Sequence, residues 1–335
     1  MPIRILLSGA GGGGTIEIIR TLKEMGRYRI VAIDASPHAF GLKLADVGYV
    51  VPLATAPEFE WTIEMIIDRE EPDYIIPLVD EEILTFHTIA KQFNTRVVAP
   101  VRQFCQLCLD KWQTNQALRD AGIPVPKTWL ATDTNKVRYP AIVKPRSGRG
   151  SRGLAYLRQV SDLEEYLVKA HGPPQEYIAQ EQIEGREFTV SVVVGLGGPL
   201  LAVVPKEVII KRGITLVGVT RDVPEIESMC RQIQDRLRAD GPFNVQLIMK
   251  DDGVPYVTEI NPRYSTTVAL TIAAGIHEVD LVIRSAEGEQ TSSPIDFTHN
   301  LMMIRYYTQE YIPESHWVFE RTHLNLRKIL WPGAT

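Results

Sequence analysis

The first hundred residues alternate short apolar runs with stretches of helical spacing. Residues 3–8 (IRILLS) read as a strand, followed by a glycine run. Ile16, Ile19 and Leu22 then recur every three residues, so 15–25 reads as a helix with one apolar face. Further strands are expected at 29–34, 47–52, 74–79 and 96–99, and helices at 59–70 and 81–92. Alternating β and α segments joined by short turns predict a doubly wound parallel sheet.

Beyond residue 110 the texture changes. A helical pattern over 111–121 stops at Gly122, and Pro124 and Pro126 of the following IPVP force an extended crossing. A strand is expected at 141–144, a glycine-rich loop at 147–153, a strand at 154–157 and a helix at 161–170. From Tyr177 onward the pattern is mostly β: YIAQEQI, EFTVSVVVG and LLAVVPKEVII. A helix at 225–239 precedes strands at 244–250 and 255–261, joined through Asp251-Asp252-Gly253, a hairpin signal. Internal repeats and low-complexity linkers are lacking.

Composition narrows the class. Hydrophobic residues make up 44% of the 335 residues and charged residues 23%, which excludes disorder, collagen-like repeats and a disulfide miniprotein. A net charge of −5 argues against a general nucleic-acid binder, whose footprint is basic. No apolar run approaches the ~20 residues of a membrane span. MPIRILLSGAGGGG reads as a first strand rather than a signal peptide, so a cytoplasmic chain is expected. Cys105 and Cys108 form a C-x-x-C, but inside the helix-like QFCQLCLDKW and without a second Cys/His pair nearby; with Cys230 they read as buried thiols.

Two nucleotide signals compete. Gly9-Ala10-Gly11-Gly12-Gly13-Gly14 satisfies G-x-G-x-x-G, and Asp34 ends the second strand, as in a dinucleotide fingerprint. A tight strand-to-helix turn prefers glycines for its own reasons, however, and no hydride-handling set of side chains accompanies the motif.

The second signal lies downstream. Lys144 ends a buried strand and precedes Ser147, Gly148, Gly150 and Ser151, a loop suited to covering phosphates; Lys111 offers a second cation. The carbonyl of Glu181 and the amide of Ile183 match the edge of adenine, and Glu187 can accept from ribose hydroxyls. Glu259 and Asn261 are two apart on one strand and so share a face, and Gln246, across the hairpin, can point to the same face if the register allows. Such oxygen donors, completed by phosphate, suit Mg²⁺. Arg263 follows, placed for a phosphate or carboxylate. Lys206, Lys211 and Arg212 could neutralise a transferring phosphoryl group, although a solvated strand edge carries lysines too.

In this order the motifs resemble the ATP-grasp superfamily of the carbamoyl-phosphate-synthase-like type, over residues 3–285. The resemblance rests on the DK…AGIPVP helix and crossing, IVKP with its loop, the QEQIEGREFTV hinge and the NVQ…TEINPRYS hairpin. It implies an α/β N-terminal doubly wound parallel-sheet domain at 1–100, then an α+β ATP-grasp fold of two lobes at 101–180 and 181–297. An aromatic C-terminal extension follows at 298–335, with Tyr306, Tyr307, Tyr311, Trp317, Phe319 and Trp331 expected to pack on the domain or a homodimer partner. By the same resemblance Lys111 and Lys144, with the loop Ser147, Gly148, Gly150 and Ser151, bind ATP phosphates, and Glu181, Ile183 and Glu187 hold adenine and ribose. Gln246, Glu259 and Asn261 serve Mg²⁺, with Mn²⁺ as a substitute, and Arg263, Lys211 and Arg212 act on the transferring group. Many members carry an acid where Gln246 stands; the carbamoyl-phosphate-synthase-like branch uses Gln.

The implied reaction is ATP-dependent activation of a small-molecule carboxylate as an acyl phosphate, which an amine attacks to give ADP and phosphate. The alternatives are a bicarbonate-activating enzyme, an NAD-dependent oxidoreductase and a non-catalytic nucleotide-binding protein. Asp80-Glu81-Glu82, just past the fourth strand, could attract an amine or simply favour a helix dipole.

Overall fold

The computed structural model describes residues 1–148, 150, 152–289 and 294–314. The chain forms two compact units, Met1–Val98 with the segment from Tyr306, and Ala99–Arg305.

In the first unit, β1 (Ile3–Leu7), β2 (Tyr28–Asp34), β3 (Val47–Val50), β4 (Tyr74–Ile76) and β5 (Arg96–Val97) build a sheet in the order β3-β2-β1-β4-β5. Every pair is parallel, as the β/α alternation predicts. The helix Phe59–Glu70 buries Phe59, Ile63, Ile66 and Ile67 against Leu6, Val31 and Ile75 of the strands. β4 stops at Ile76, short of the expected residue 79, because Pro77 has no N–H for the ladder. The expected helix at 81–92 is a 3₁₀ turn, Asp80–Glu82, leading into Ile83–Ile89.

The glycine run after β1 is closed by its own neighbours. Asp34 accepts hydrogen bonds from the Gly11 and Ser36 amides, both at 2.8 Å. A Cβ on Gly41 would stand 2.3 Å from the Ala10 carbonyl, so the turn and the segment after β2 are packed backbone to backbone. Asp34 thus has a local task that needs no dinucleotide.

The second unit holds two antiparallel sheets. β6 (Thr128–Leu130), β7 (Ala141–Pro145), β8 (Ala155–Leu157) and β9 (Tyr177–Glu181) form one, in the order β6-β9-β7-β8. β10 (Arg186–Val194), β11 (Leu200–Arg212), β12 (Ile214–Thr220), β13 (Phe243–Met249), β14 (Pro255–Asn261) and β15 (Met302–Ile304) form the other, in the order β14-β13-β10-β11-β12-β15. Strand alternation gives this larger sheet two faces. Phe188, Val190, Val192, Val245 and Leu247 point to an apolar side, covered by Ile226, Met229 and Ile233 of the helix Pro224–Leu237. Thr189, Ser191, Asn244 and Gln246 point to the other. Cys105, Cys108 and Cys230 are buried thiols on helices, as expected.

One irregularity decides the chemistry. On β14 the core residue Val257 and Glu259 are two apart, so an unbroken pleat would send both into the apolar core. A register shift at Thr258 breaks the pattern: Leu247 stands opposite Val257, but Gln246 stands opposite Glu259 and Asn244 opposite Asn261. The bulge re-aims Glu259 and Asn261 onto the polar face.

The two sheets are joined by residues 182–185. Gly185 has φ of 152°, and a Cβ there would lie 2.2 Å from the Met249 carbonyl. Gly185→Ala should therefore cost ~2 kcal/mol or more, since the backbone must shift as well as strain. Gly213→Ala, where a Cβ would meet nothing within 4 Å, should cost about 1 kcal/mol. Urea unfolding of both variants checks the contrast; equal costs would contradict the close approach.

Candidate active site

Lys144, near the end of β7, is buried, yet its ammonium has two acceptors. It donates to Gln180 Oε1 at 3.0 Å on the neighbouring β9 and to the Thr258 carbonyl at 3.3 Å on β14. The second acceptor is the residue that the bulge displaces, so one side chain ties the smaller sheet to the irregular point of the larger. Burial pushes this lysine down to about 8; Glu259 works against that fall, while Lys111 and Lys211 add to it. Lys144 therefore feels the charges of Glu259, Lys111 and Lys211.

Lys111 is set by its own helix start. Asp110 caps the helix Lys111–Asp120, accepting from the Trp112 and Gln113 amides. Arg146, just past β7, grips the same carboxylate through Nε at 3.2 Å and Nη2 at 2.5 Å, and its carbonyl accepts from the Lys111 amide at 2.9 Å. Burial raises the Asp110 pKa, but the Arg146 fork and the backbone amides outweigh it, leaving the carboxyl below its ordinary value. The fork joins the root of the glycine-rich loop to the helix that carries Lys111. The Lys111 ammonium then donates to the Gly148 carbonyl at 2.6 Å and lies 3.5 Å from Glu259 Oε1.

Lys211, near the end of β11, pairs with Glu187 of β10 at 2.5 Å. Its neighbour Arg212 points the other way by strand alternation and is exposed at the hairpin tip. Arg263 reaches the Tyr264 carbonyl at 3.2 Å and Asn261 Oδ1 at 3.4 Å, holding it beside the β13–β14 hairpin. Glu181 accepts from the Lys127 amide through its carboxylate, 3.2 Å, and donates its own amide to the Lys127 carbonyl, 2.8 Å. Ile183 lies in the 182–185 linker, and Ser147, Gly148 and Gly150 are exposed in the loop; Ser151 is outside the described residues.

Lys206 does not join this group. It is sealed in a separate buried network with Ser191 and Thr271, because it sits inside the sheet rather than at its solvated end. Asp110, Arg146, Gln180 and Thr258 are the residues that sequence reasoning missed. Asp110 carried a signal, an N-cap type immediately before a helix; the bulge at Thr258 carried none.

Among the described residues no group of three or more His, Cys, Asp or Glu could hold a metal. Gln246, Glu259 and Asn261 offer one carboxylate and two amide oxygens. That donor set is hard and incomplete, and fits Mg²⁺ whose remaining positions go to phosphate and water. Asp80 and Glu82 are buried in the first unit. Tyr306, Tyr307 and Tyr311 are exposed rather than packed on the domain, and Trp317, Phe319 and Trp331 lie outside the described residues.

Along most of its length the chain resembles known proteins. An ATP-grasp domain model matches residues 108–267, and a PylC-like N-terminal domain model matches 5–101. The chain is 25% identical over 306 residues to formate-dependent phosphoribosylglycinamide formyltransferase of Flavobacterium psychrophilum, covering 84% of this chain and 77% of that one. It is 24% identical over 286 residues to the carbamoyl phosphate synthase large chain of Pyrococcus furiosus, 76% of this chain and 26% of the relative. N5-carboxyaminoimidazole synthetase from Staphylococcus aureus, solved with ADP, shares the fold at a TM-score of 0.73 and 18% identity, over 89% of this chain and 81% of that one.

The buried ammonium gives a direct check. Lysine side-chain NMR should show Lys144 titrating near 8, and Glu259→Gln should move that midpoint lower by removing the opposing charge. Because the folded value lies below the ordinary 10.5, the unfolded chain binds the extra proton between the two, so this lysine's cost to folding shrinks as pH rises from about 8. A midpoint near 10.5, unmoved by Glu259→Gln, would contradict the site's geometry.

Proposed function

The chain belongs to the ATP-grasp superfamily, and on that premise we propose that it activates a small-molecule carboxylate with Mg-ATP, forming an acyl phosphate that an amine attacks. The observation that carries this reading is the placing of Glu259, which the bulge turns to within 3.5 Å of the Lys111 ammonium, beside the buried Lys144 that is tied to the bulge carbonyl of Thr258. The relative named as formate-dependent supports a carboxylate as the phosphoryl acceptor.

Each part then has a task. The Glu181–Ile183 segment and Glu187 take the adenosine end. Entry of the nucleotide exchanges the Lys211–Glu187 pair, giving the carboxylate to ribose and the ammonium to phosphate. Lys111 gives up the Gly148 carbonyl for a phosphate oxygen, which couples phosphate binding to the glycine-rich loop. Bound through Gln246, Glu259 and Asn261, Mg²⁺ supplies charge neutralisation at the transferring phosphoryl group. Lys144, fixed by Gln180 and Thr258, adds positive charge without moving, which is the form of stabilisation that costs least reorganisation. Arg263 orients the acyl end, and the loop excludes water that would hydrolyse the acyl phosphate.

No helix among the described residues is long and apolar enough to cross a membrane. The buried thiols support a reducing, cytoplasmic setting. A homodimer belongs to the same proposal, supported by exposed Met302 and Ile304 on the edge strand β15.

The test is ADP release from Mg-ATP against pooled carboxylates and amines, with bicarbonate as a separate arm. Release should require one carboxylate and one amine together. Glu259→Gln should keep the fold at a lower melting temperature, because Lys111 and Lys144 lose the carboxylate facing them, and should lower turnover ~100-fold or more by weakening the metal. Full turnover by Glu259→Gln, or stabilisation by NAD in place of Mg-ATP, would overturn the proposal.

A further inference from the structure

Lys206 is 0% exposed, and its ammonium donates to Ser191 Oγ at 2.5 Å and Thr271 Oγ1 at 2.7 Å. Ser191 in turn donates to Glu278 Oε1 at 2.6 Å. All four residues are buried, and none has a task in the reaction above. Burial pushes Lys206 down to about 8 and Glu278 up, each opposed by the charge of the other. Stability alone is a poor reason to keep such a cluster, since apolar residues of similar volume serve a core as well or better.

Position supplies a better reason. Thr189 stands opposite both Lys206 and Gln246, and Gln246 stands opposite Glu259. Paired residues of an antiparallel sheet share a face, so Lys206 lies in one cross-strand row with two of the proposed metal ligands. Thr271 belongs to the helix Val268–Ala273, which begins directly after the segment 263–267 that carries Arg263. Ser265 of that segment lies 3.3 Å from Thr189 Oγ1 and 2.7 Å from Thr267 Oγ1. Thr189 also accepts from Asn244 Nδ2 at 2.9 Å, and Asn244 stands opposite Asn261. Glu278 opens the next helix, Glu278–Ala286. The cluster therefore grips the segment after the metal hairpin from behind.

We infer that Lys206 and Glu278, bridged by Ser191 and Thr271, are positioning residues that lock the two helices after Arg263 onto β10 and β11, and so hold Arg263 and the Gln246–Glu259 row in place for the metal-bound phosphates. This rests on the nucleotide reading given above.

The decisive variant is K206M/E278L, which replaces the pair by apolar side chains of similar size. Titration calorimetry compares it with wild type using ADP in EDTA, then the β,γ-imido analogue of ATP with Mg²⁺. A merely structural pair predicts unchanged binding in both. Positioning predicts a melting temperature within about 3 °C of wild type or above it, since the buried charges are removed together. Metal-free ADP should bind within about threefold of wild type, while the Mg²⁺ analogue should weaken ~10-fold or more as the metal row loosens. K206M alone should melt far lower, because Glu278 is left buried without its cation. Should the double variant fail to fold, Thr271→Val carries the same test: it removes one acceptor of Lys206 at nearly constant shape and should weaken only the Mg²⁺ analogue. Wild-type affinity for that analogue in the folded variant would overturn the inference. A wild type that binds neither ligand would overturn the nucleotide reading and this inference with it.

Discussion

The register shift at Thr258 does two things at once. It rotates Glu259 and Asn261 out of the apolar core, and it turns the Thr258 carbonyl toward the smaller sheet, where the Lys144 ammonium accepts the role of its donor. Without the shift, Glu259 would follow Val257 into the core and be buried without a partner, a costly outcome. Without Lys144, the bulge would leave a carbonyl poorly satisfied in a buried place. The irregular strand and the buried lysine are each explained by the other, and Lys111 lies 3.5 Å from the carboxylate they expose.

That dependence accounts for the rest of the architecture. The Asp110–Arg146 fork matters because it holds Lys111 and the root of the glycine-rich loop in one frame with Lys144. Gly185 matters because the linker between the sheets must pass against the Met249 backbone, and any side chain there would push the two sheets apart. The glycine turn after β1 belongs to a different problem, closed by Asp34 within the first unit. The same residue type at two places serves a turn in one and a sheet-to-sheet passage in the other.

How much of this was legible in the residues alone follows from the range of the interactions. The parallel sheet was readable because its signal is local: apolar runs, helical spacing and short turns, in alternation. Pro77 trims β4, a 3₁₀ turn precedes Ile83, the helix there stops at Ile89, and β3 and β5 stop at Val50 and Val97, each two residues short of expectation. The shared face of Glu259 and Asn261 was readable from strand periodicity. Their pairing with Gln246 was not, because NVQ and TEIN meet only through a bulge that no residue type in TEIN announces. β12 was missed since ITLVGVT sets Leu216 beside Val217 and adds Gly218, which blurs any alternation. Lys206 and Lys211 look alike in LLAVVPKEVIIKR, yet one is sealed inside the sheet and the other reaches Glu187 at its end. Burial depends on which helix covers the strand, and Val268–Ala273 lies more than fifty residues away in sequence.

The proposed reaction routes no phosphoryl group through a side chain, so on that proposal the carboxylate substrate is the acceptor itself. Isotope transfer tests that claim most directly. With both carboxylate oxygens labelled with ¹⁸O, amine attack on the acyl phosphate expels one of them with the phosphate. The account predicts one labelled oxygen in inorganic phosphate for each bond formed, and unlabelled ADP. Label in AMP would instead indicate adenylation, and unlabelled phosphate during verified product formation would contradict the acyl-phosphate route outright.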